Sequence, residues 1–163
     1  MKLPLNKQTV LITGAGRGLG SEIAKSFHRE GAKVVINYRK SFESAQKLSD
    51  SLGENVIPIK ADIREKDQVS KMHEQLESQN IKVDTIIHNA INDFIFNGDK
   101  RKKIDNIEWQ DFQKQIETSQ KGFLNLLNIF TPNMKKNSFG RIITIGTNLF
   151  QNPVIPYHDY TAA

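Results

Sequence analysis

Two hydrophobic periods alternate along this chain, and that alternation constrains its fold more than any other feature. Short runs rich in β-branched residues fall at 9–14, 32–38, 55–62, 82–90 and 140–146, the pattern of buried strands. Between them the apolar residues recur at helical spacing. Leu19, Ile23, Ala24 and Phe27 share one face, and so do Ala45, Leu48 and Leu52. Val69, Met72, His73 and Leu76 form a third stripe, while Phe112, Ile116, Leu124, Leu127 and Phe130 mark a long helix over 109–134. Strand and helix in strict alternation predict βαβ units, hence a doubly wound α/β fold: a parallel sheet covered by helices on both faces. Pro58 has no N–H to give a ladder, so the third strand is expected near a sheet edge. Only 91–108 interrupts the rhythm. It reads as a polar loop, with Lys100, Arg101, Lys102 and Lys103 as solvated charges.

The 163 residues, 37% of them hydrophobic, suffice for one domain with a real core. The absence of cysteine excludes disulfides, thiolate nucleophiles and thiolate-bound zinc, and no metal site is expected. The net charge of +5 is spread along the chain, so no nucleic-acid partner is expected. No run approaches the length of apolar residues a membrane helix needs. The first residues lack the apolar core of a secretory leader. A cytoplasmic protein without a membrane partner is the expectation.

The stretch "TGAGRGLG" at 13–20 closes the first strand and opens the first helix. Glycines there permit positive φ and close approach of a bulky anion, and the helix N-terminus offers unpaired N–H groups to a pyrophosphate. A nucleotide-hydrolysing P-loop would need Gly-Lys-Ser/Thr, and Leu19-Gly20-Ser21 has no lysine. A dinucleotide held by Gly14, Ala15, Gly16, Arg17, Gly18, Leu19 and Gly20 is the expectation.

The spacing, T-G-x-x-x-G-x-G, resembles the cofactor loop of the short-chain dehydrogenase/reductase family. Further motifs carry the resemblance from residue 8 to residue 163. "KADI" at 60–63 is similar to the family's segment whose acid, here Asp62, lies against the adenine, with Ile63 beside it. "HNA" at 88–90 is similar to its Asn-Asn-Ala-Gly segment, keeping Asn89 but placing His88 and Ile91 at the outer positions. "GRIITIGT" followed by Tyr160 resembles its Ser/Tyr pair, with Thr147 thirteen residues before the tyrosine. The resemblance implies a Rossmann-type domain over 1–163 that reduces a carbonyl by hydride transfer. It assigns proton donation to Tyr160 and carbonyl orientation to Thr147. Ser119, in "IETS", takes the place of the family's helix-borne catalytic asparagine. His88 is expected to pack and hydrogen-bond rather than shuttle protons.

An NAD-preferring site usually carries an acid after the second strand to hold the ribose 2′-hydroxyl. Here Asn37, Tyr38, Arg39 and Lys40 follow one another without an acid. Arg39 and Arg17 can both reach a 2′-phosphate, so NADP(H) is the expected cofactor, with Tyr160 also at its nicotinamide end. "VVINYRKSFESAQKL" and "GRIITIG" are most similar to the 3-oxoacyl-[acyl-carrier-protein] reductase branch. That likeness implies a small-molecule or acyl-carrier-protein-bound ketone as substrate, a place in fatty acid biosynthesis, and a homo-oligomer. Lys135 and Lys136 fall near the side where an acidic carrier would dock, although ordinary lysines at a helix C-terminus are the favoured reading. The family's Tyr-x-x-x-Lys motif would place its lysine just after Ala163. The sequence is therefore expected to represent the first two thirds of a family member, with a sheet that stops after the fifth strand. Two other readings stay open: a non-catalytic dinucleotide-binding module, and an inactive shortened product.

Overall fold

The computed structural model describes residues 3–163. Five strands carry the sheet: β1 (Thr9–Ile12), β2 (Lys33–Tyr38), β3 (Val56–Lys60), β4 (Thr85–His88) and β5 (Arg141–Thr144). Six helices accompany them: α1 (Gly18–Arg29), α2 (Phe42–Leu52), α3 (Lys66–Ser78), α4 (Trp109–Ile116), α5 (Gly122–Lys136) and α6 (His158–Ala162). All strand pairs are parallel, in the order β3-β2-β1-β4-β5. Pro58 sits on the edge strand β3, where its missing N–H costs no ladder bond on the outer side.

Side-chain alternation along each strand explains why both faces are covered. Leu11, Val35 and Ile86 point to one face, where Val69, Met72 and Leu76 of α3 and Leu126, Phe130 and Met134 of α5 pack on them. Val10, Ile12, Val34, Ile36 and Ile87 point to the other, against Ala24 of α1 and Ala45 and Leu48 of α2. The strands of a sheet buried on both sides are largely apolar, and β-branched residues meet that demand in β1 and β2, with buried Asn37 donating to the Ala61 carbonyl at 3.0 Å. At the N-terminal end of the sheet the buried Thr85 hydroxyl donates to Gln8 Oε1 at 2.8 Å. There too Asp84 accepts the Thr9 N–H at 2.9 Å, and burial raises its carboxyl above the usual carboxylate range.

Three expectations change. The single long helix is two α-helices joined by a π-helical turn, Glu117–Lys121. The extra residue per turn there shifts the helix face, so the core takes Leu126, Phe130 and Met134, while Leu124 points outward. The fifth strand has the expected sequence pattern but not the burial of the others. Ile142 and Ile143 are 41% and 37% exposed: unlike the other edge strand, β3, which buries Val56 and Ile59, β5 puts no residue into either core cluster. Finally, residues 91–108 are not simply a polar loop. Phe94 and Phe96 pack together, and α4 is capped reciprocally by Glu108 and Asp111, both of which also hold Lys102.

The chain runs from β1 outward to β3, then crosses to β4 and β5 on the other side. The strand order thus reverses between β1 and β4. In open α/β sheets the crevice beyond the strands' carboxyl ends at such a point is where ligands bind.

Candidate active site

Thr13, the residue after β1, joins the two strand ends beneath that crevice. Its hydroxyl oxygen accepts the N–H groups of Asn89 and Ala90, each at 3.0 Å. Asn89 returns the link by donating from Nδ2 to the Thr13 carbonyl at 2.9 Å. Beside them His88 Nε2 meets the Ser119 carbonyl at 3.1 Å, and Nδ1 lies 3.4 Å from the Thr13 hydroxyl. A carbonyl can only accept, so Nε2 carries the hydrogen and Nδ1 takes the hydroxyl proton of Thr13. Burial pushes the His88 pKa down, and the ring stacks on Phe123 with 5.2 Å between centroids. His88 is a neutral packing and hydrogen-bonding residue, as its sequence context suggested.

The glycine turn lies on this platform. Gly14 has φ +65°, a conformation in which a side chain is strained. Gly20 admits no side chain for a different reason. A Cβ there would lie 2.6 Å from the Gly14 carbonyl oxygen and 2.6 Å from Asn89 Nδ2. Ala15 is wholly buried, and its N–H donates to the Asn37 carbonyl at 3.0 Å, tying the turn to β2. Arg17, in extended conformation, caps α1 without using its side chain. The first N–H groups of α1 thus meet no capping side chain, the arrangement that receives an anion.

These elements border a crevice of about 750 Å³. Gly14, Arg17, Gly18, Leu19 and Gly20 form one wall, with Arg39, Asp62, Ile63, Asn89 and Tyr160 around it. Of the residues expected from sequence, Ala15 and Gly16 lie behind the turn rather than on its face, Gly16 against the Ser41 side chain. Thr147 and Ser119 also stand off the walls. The Thr147 hydroxyl accepts the Leu149 N–H at 3.2 Å, and the Ser119 hydroxyl donates to the Gln115 carbonyl at 3.0 Å within its own helix. Thr118 lines the crevice instead, its hydroxyl buried and without a partner.

Charge divides the crevice. At the end of β2, Arg39, Lys40 and Arg17 converge on the single carboxylate of Asp93, at 3.0, 3.1 and 3.7 Å. The hydrogen bond from Lys40, with the charges of Lys40, Arg39 and Arg17 behind it, holds the Asp93 carboxyl below its ordinary pKa. Three cations against one acid leave this corner positive. At the end of β3, Asp62 is bound by Arg64 through two guanidinium nitrogens, at 2.9 and 2.6 Å, and through its backbone N–H at 3.1 Å. Arg64 lowers the Asp62 pKa and is itself held more firmly protonated. Asn125 of α5 fixes the same loop by donating to the carbonyls of Ile63 and Arg64.

Several lining residues escaped the sequence reading: Asp93, Phe94, Thr118, Ile145 and Gly146. The one available signal was "DFIF" at 93–96, a cluster of large apolar residues too dense for a solvated loop. Among the described residues no three His, Asp or Glu side chains are grouped to hold a metal ion, and no helix is long and apolar enough to cross a membrane.

The geometry has close counterparts. The chain is 31% identical over 138 residues to the NADP-dependent 3-hydroxy acid dehydrogenase of Salmonella typhi, covering 85% of this chain and 53% of that protein. It is 30% identical over 143 residues to the 3-oxoacyl-[acyl-carrier-protein] reductase of Staphylococcus aureus, covering 86% and 56% respectively. It therefore spans about half the length of these curated relatives. The crystal structure of 3-ketoacyl-(acyl-carrier-protein) reductase from Brucella melitensis complexed with NADH superposes with a TM-score of 0.83 at 27% identity, covering 97% of this chain and 64% of that one. Residues 8–163 match the family model described as short chain dehydrogenase, and the chain belongs to that family.

Proposed function

We propose that this chain binds NADP(H) in the β1–β4 crevice and serves the reduction of a ketone, a 3-oxoacyl thioester or a related small molecule. The observation that carries the cofactor preference is the convergence of Arg17, Arg39 and Lys40 at the end of β2, where the strand end itself brings no acid and Asp93 is one carboxylate against three cations. A 2′-phosphate fits three cations better than a hydroxyl does. Gly14, Gly18 and Gly20 leave backbone open where a pyrophosphate would pass, and Asp62 and Ile63, which the resemblance assigns to the adenine, line the same crevice.

The bound cofactor supplies the hydride; the chain supplies position and proton. Tyr160 lines the same crevice as Asn89 and Ile145 and holds the phenol proton that neutralises the developing alkoxide. Thr147 is the hydroxyl proposed to orient the carbonyl: it accepts the Leu149 N–H and keeps its own proton to donate to substrate. Ser119 reaches the site through its carbonyl, which fixes His88, rather than through its hydroxyl. A carrier-protein-bound substrate, a homo-oligomeric assembly and a cytoplasmic setting complete the proposal, on the strength of the S. aureus relative's name and the family pattern.

A second reading, a dinucleotide-binding module without turnover, draws on Ser119, whose hydroxyl proton is already given to the Gln115 carbonyl, and on the position of both Thr147 and Ser119 off the crevice walls. One assay separates the two. NADPH fluorescence titration reports binding, and loss of absorbance on adding a 3-oxoacyl thioester reports oxidation. Preferential NADPH binding with ketone-dependent oxidation is expected. Binding without oxidation leaves the module, and equal binding of NADH and NADPH removes the cofactor assignment.

A further inference from the structure

Tyr160 sits on α6, a helix of only five residues. One turn of helix fixes several dihedral angles for very few hydrogen bonds, so α6 cannot hold itself in place. Its placement has to come from contacts outside it. The neighbouring residue, Asp159, is 2% exposed, and a carboxylate at that depth needs a partner.

The partner comes from the basic run. Arg101 Nη2 donates to both oxygens of Asp159, at 2.9 and 2.8 Å. Arg101 is thus not the solvated charge its neighbours suggested; its side chain is 19% exposed. Its Nη1 also donates to the Ile95 carbonyl at 3.3 Å, and its guanidinium carbon lies 3.9 Å from the centre of the Phe94 ring. The Phe94 and Phe96 rings in turn stand 4.5 and 5.1 Å from that of Tyr160. The same loop is bound a second time through Tyr157, whose hydroxyl accepts the Gly98 N–H at 3.1 Å.

We propose that Arg101 and Asp159 form a positioning pair that fixes the Tyr160 ring against the crevice, with Phe94 as the side chain that transmits the hold. The proposal rests on the reading of Tyr160 as proton donor, and it adds the device that aims it. The pair links residues 58 positions apart and joins the loop after β4 to the helix after β5. Arginine is required for two reasons. Its planar group stacks on Phe94 while donating to the carboxylate, and it stays charged when partly buried. A lysine can supply the charge and reach the carboxylate, but not the planar stack on Phe94 or the second nitrogen that donates to the Ile95 carbonyl.

The test compares Arg101→Gln, Arg101→Lys and Asp159→Asn in the full protein by steady-state kinetics, NADPH fluorescence and thermal unfolding. Since displacement of a reacting group by an ångström costs up to about 100-fold in rate, kcat is expected to fall roughly 10- to 100-fold in Arg101→Gln and Asp159→Asn. NADPH affinity should stay within about twofold of the parent, because the phosphate corner is built from other residues. Arg101→Lys should recover part of the loss, and the neutral double variant should be no worse than either single one, as for groups acting as a unit. An unchanged kcat, or a fall in kcat matched by an equal loss of NADPH binding and folded fraction, overturns the proposal. A second readout does not need turnover. With ring-labelled tyrosine, the NMR signal missing in Tyr160→Phe identifies Tyr160, and that signal should shift and broaden in Arg101→Lys and Arg101→Gln. An unmoved signal overturns the positioning role. Retained turnover in Tyr160→Phe instead removes the proton-donor reading, leaving the NMR result to decide on the pair itself.

Discussion

The two sides of the crevice are built by opposite means. The wall formed by the Gly14–Gly20 turn is mostly backbone: carbonyls and N–H groups from a few consecutive residues, resting on strand ends that Thr13 and Asn89 tie to each other at 2.9–3.0 Å. The wall that carries Tyr160 is side chain: three aromatic rings, one guanidinium and one carboxylate, drawn from segments more than fifty residues apart. A backbone wall has no room to adjust, because each atom is fixed by its neighbours in the chain. A side-chain wall can repack, so its weak points are the groups that cannot be left unpaired. Substitutions should therefore act all-or-none on the first wall and by degrees on the second.

The largest effect is expected at Gly20. Any Cβ there meets the Gly14 carbonyl, Asn89 Nδ2 and, at 2.9 Å, the Ala15 Cα, so two of three neighbours are backbone that cannot turn aside. Gly20→Val should abolish NADPH binding in a fluorescence titration and destabilise the domain by about 1–3 kcal/mol, the usual cost of overpacking. Binding retained within tenfold would mean that the turn yields after all, and the contrast between the walls would fail.

Thr13→Val comes next. The valine keeps the shape but leaves the N–H groups of Asn89 and Ala90 without their acceptor. An orphan costs about 1–3 kcal/mol when fully buried; with two half-buried ones, urea denaturation should show a loss near the low end of the sum, about 2–3 kcal/mol. Thr13→Ser, which restores the oxygen, should recover most of it. Equal midpoints for Val and Ser would show that the hydroxyl does not hold the strand ends together.

The same division explains what could be read from the sequence. The β1–turn–α1 corner, the two-sided sheet and the edge position of Pro58 all follow from residues adjacent in the chain, where period, glycine spacing and a missing N–H suffice. Arg101 could not be placed that way. In a run with Lys100, Lys102 and Lys103 it looks like a solvated charge, and only the fold brings Asp159 to it. Asp93 was missed for a related reason, since its three cations come from the turn and from the end of β2. The π-turn at Glu117–Lys121 left no local mark either, and the helix that carries it has Leu124 facing outward and Thr118 inward.

Between the walls, Asp93 offers a milder test. Its carboxylate stands among the cations proposed to receive the 2′-phosphate, with more than half of its side chain exposed. Exposed pairs contribute roughly 0.2–1 kcal/mol each, so Asp93→Asn should tighten NADPH binding only severalfold, leaving NADH nearly unchanged. Weaker NADPH binding in that variant would instead make Asp93 the residue that aligns Arg17 and Arg39.

The smallest effect concerns His88, which joins the platform under the backbone wall to the helix on the far side. Burial lowers its pKa below the ordinary 6.5, so the folded chain keeps the ring neutral where the unfolded chain already binds a proton. Above that value both states are neutral and His88 adds no pH dependence. As pH falls below it, the unfolded state alone gains the proton, and stability declines until the folded pKa is reached. The slope is bounded at about 1.4 kcal/mol per pH unit for one group. The depressed carboxyls Asp62 and Asp93 titrate below the ordinary carboxylate value of 3.8, outside this window. Urea midpoints at pH 7.5 and 5.5 should therefore fall in the parent and change less in His88→Asn, whose amide can still donate to the Ser119 carbonyl without titrating. Parallel pH profiles for the two proteins would show that His88 takes up its proton in the folded state, and that the hydrogen from Nε2 to Ser119 does not require a neutral ring at Nδ1.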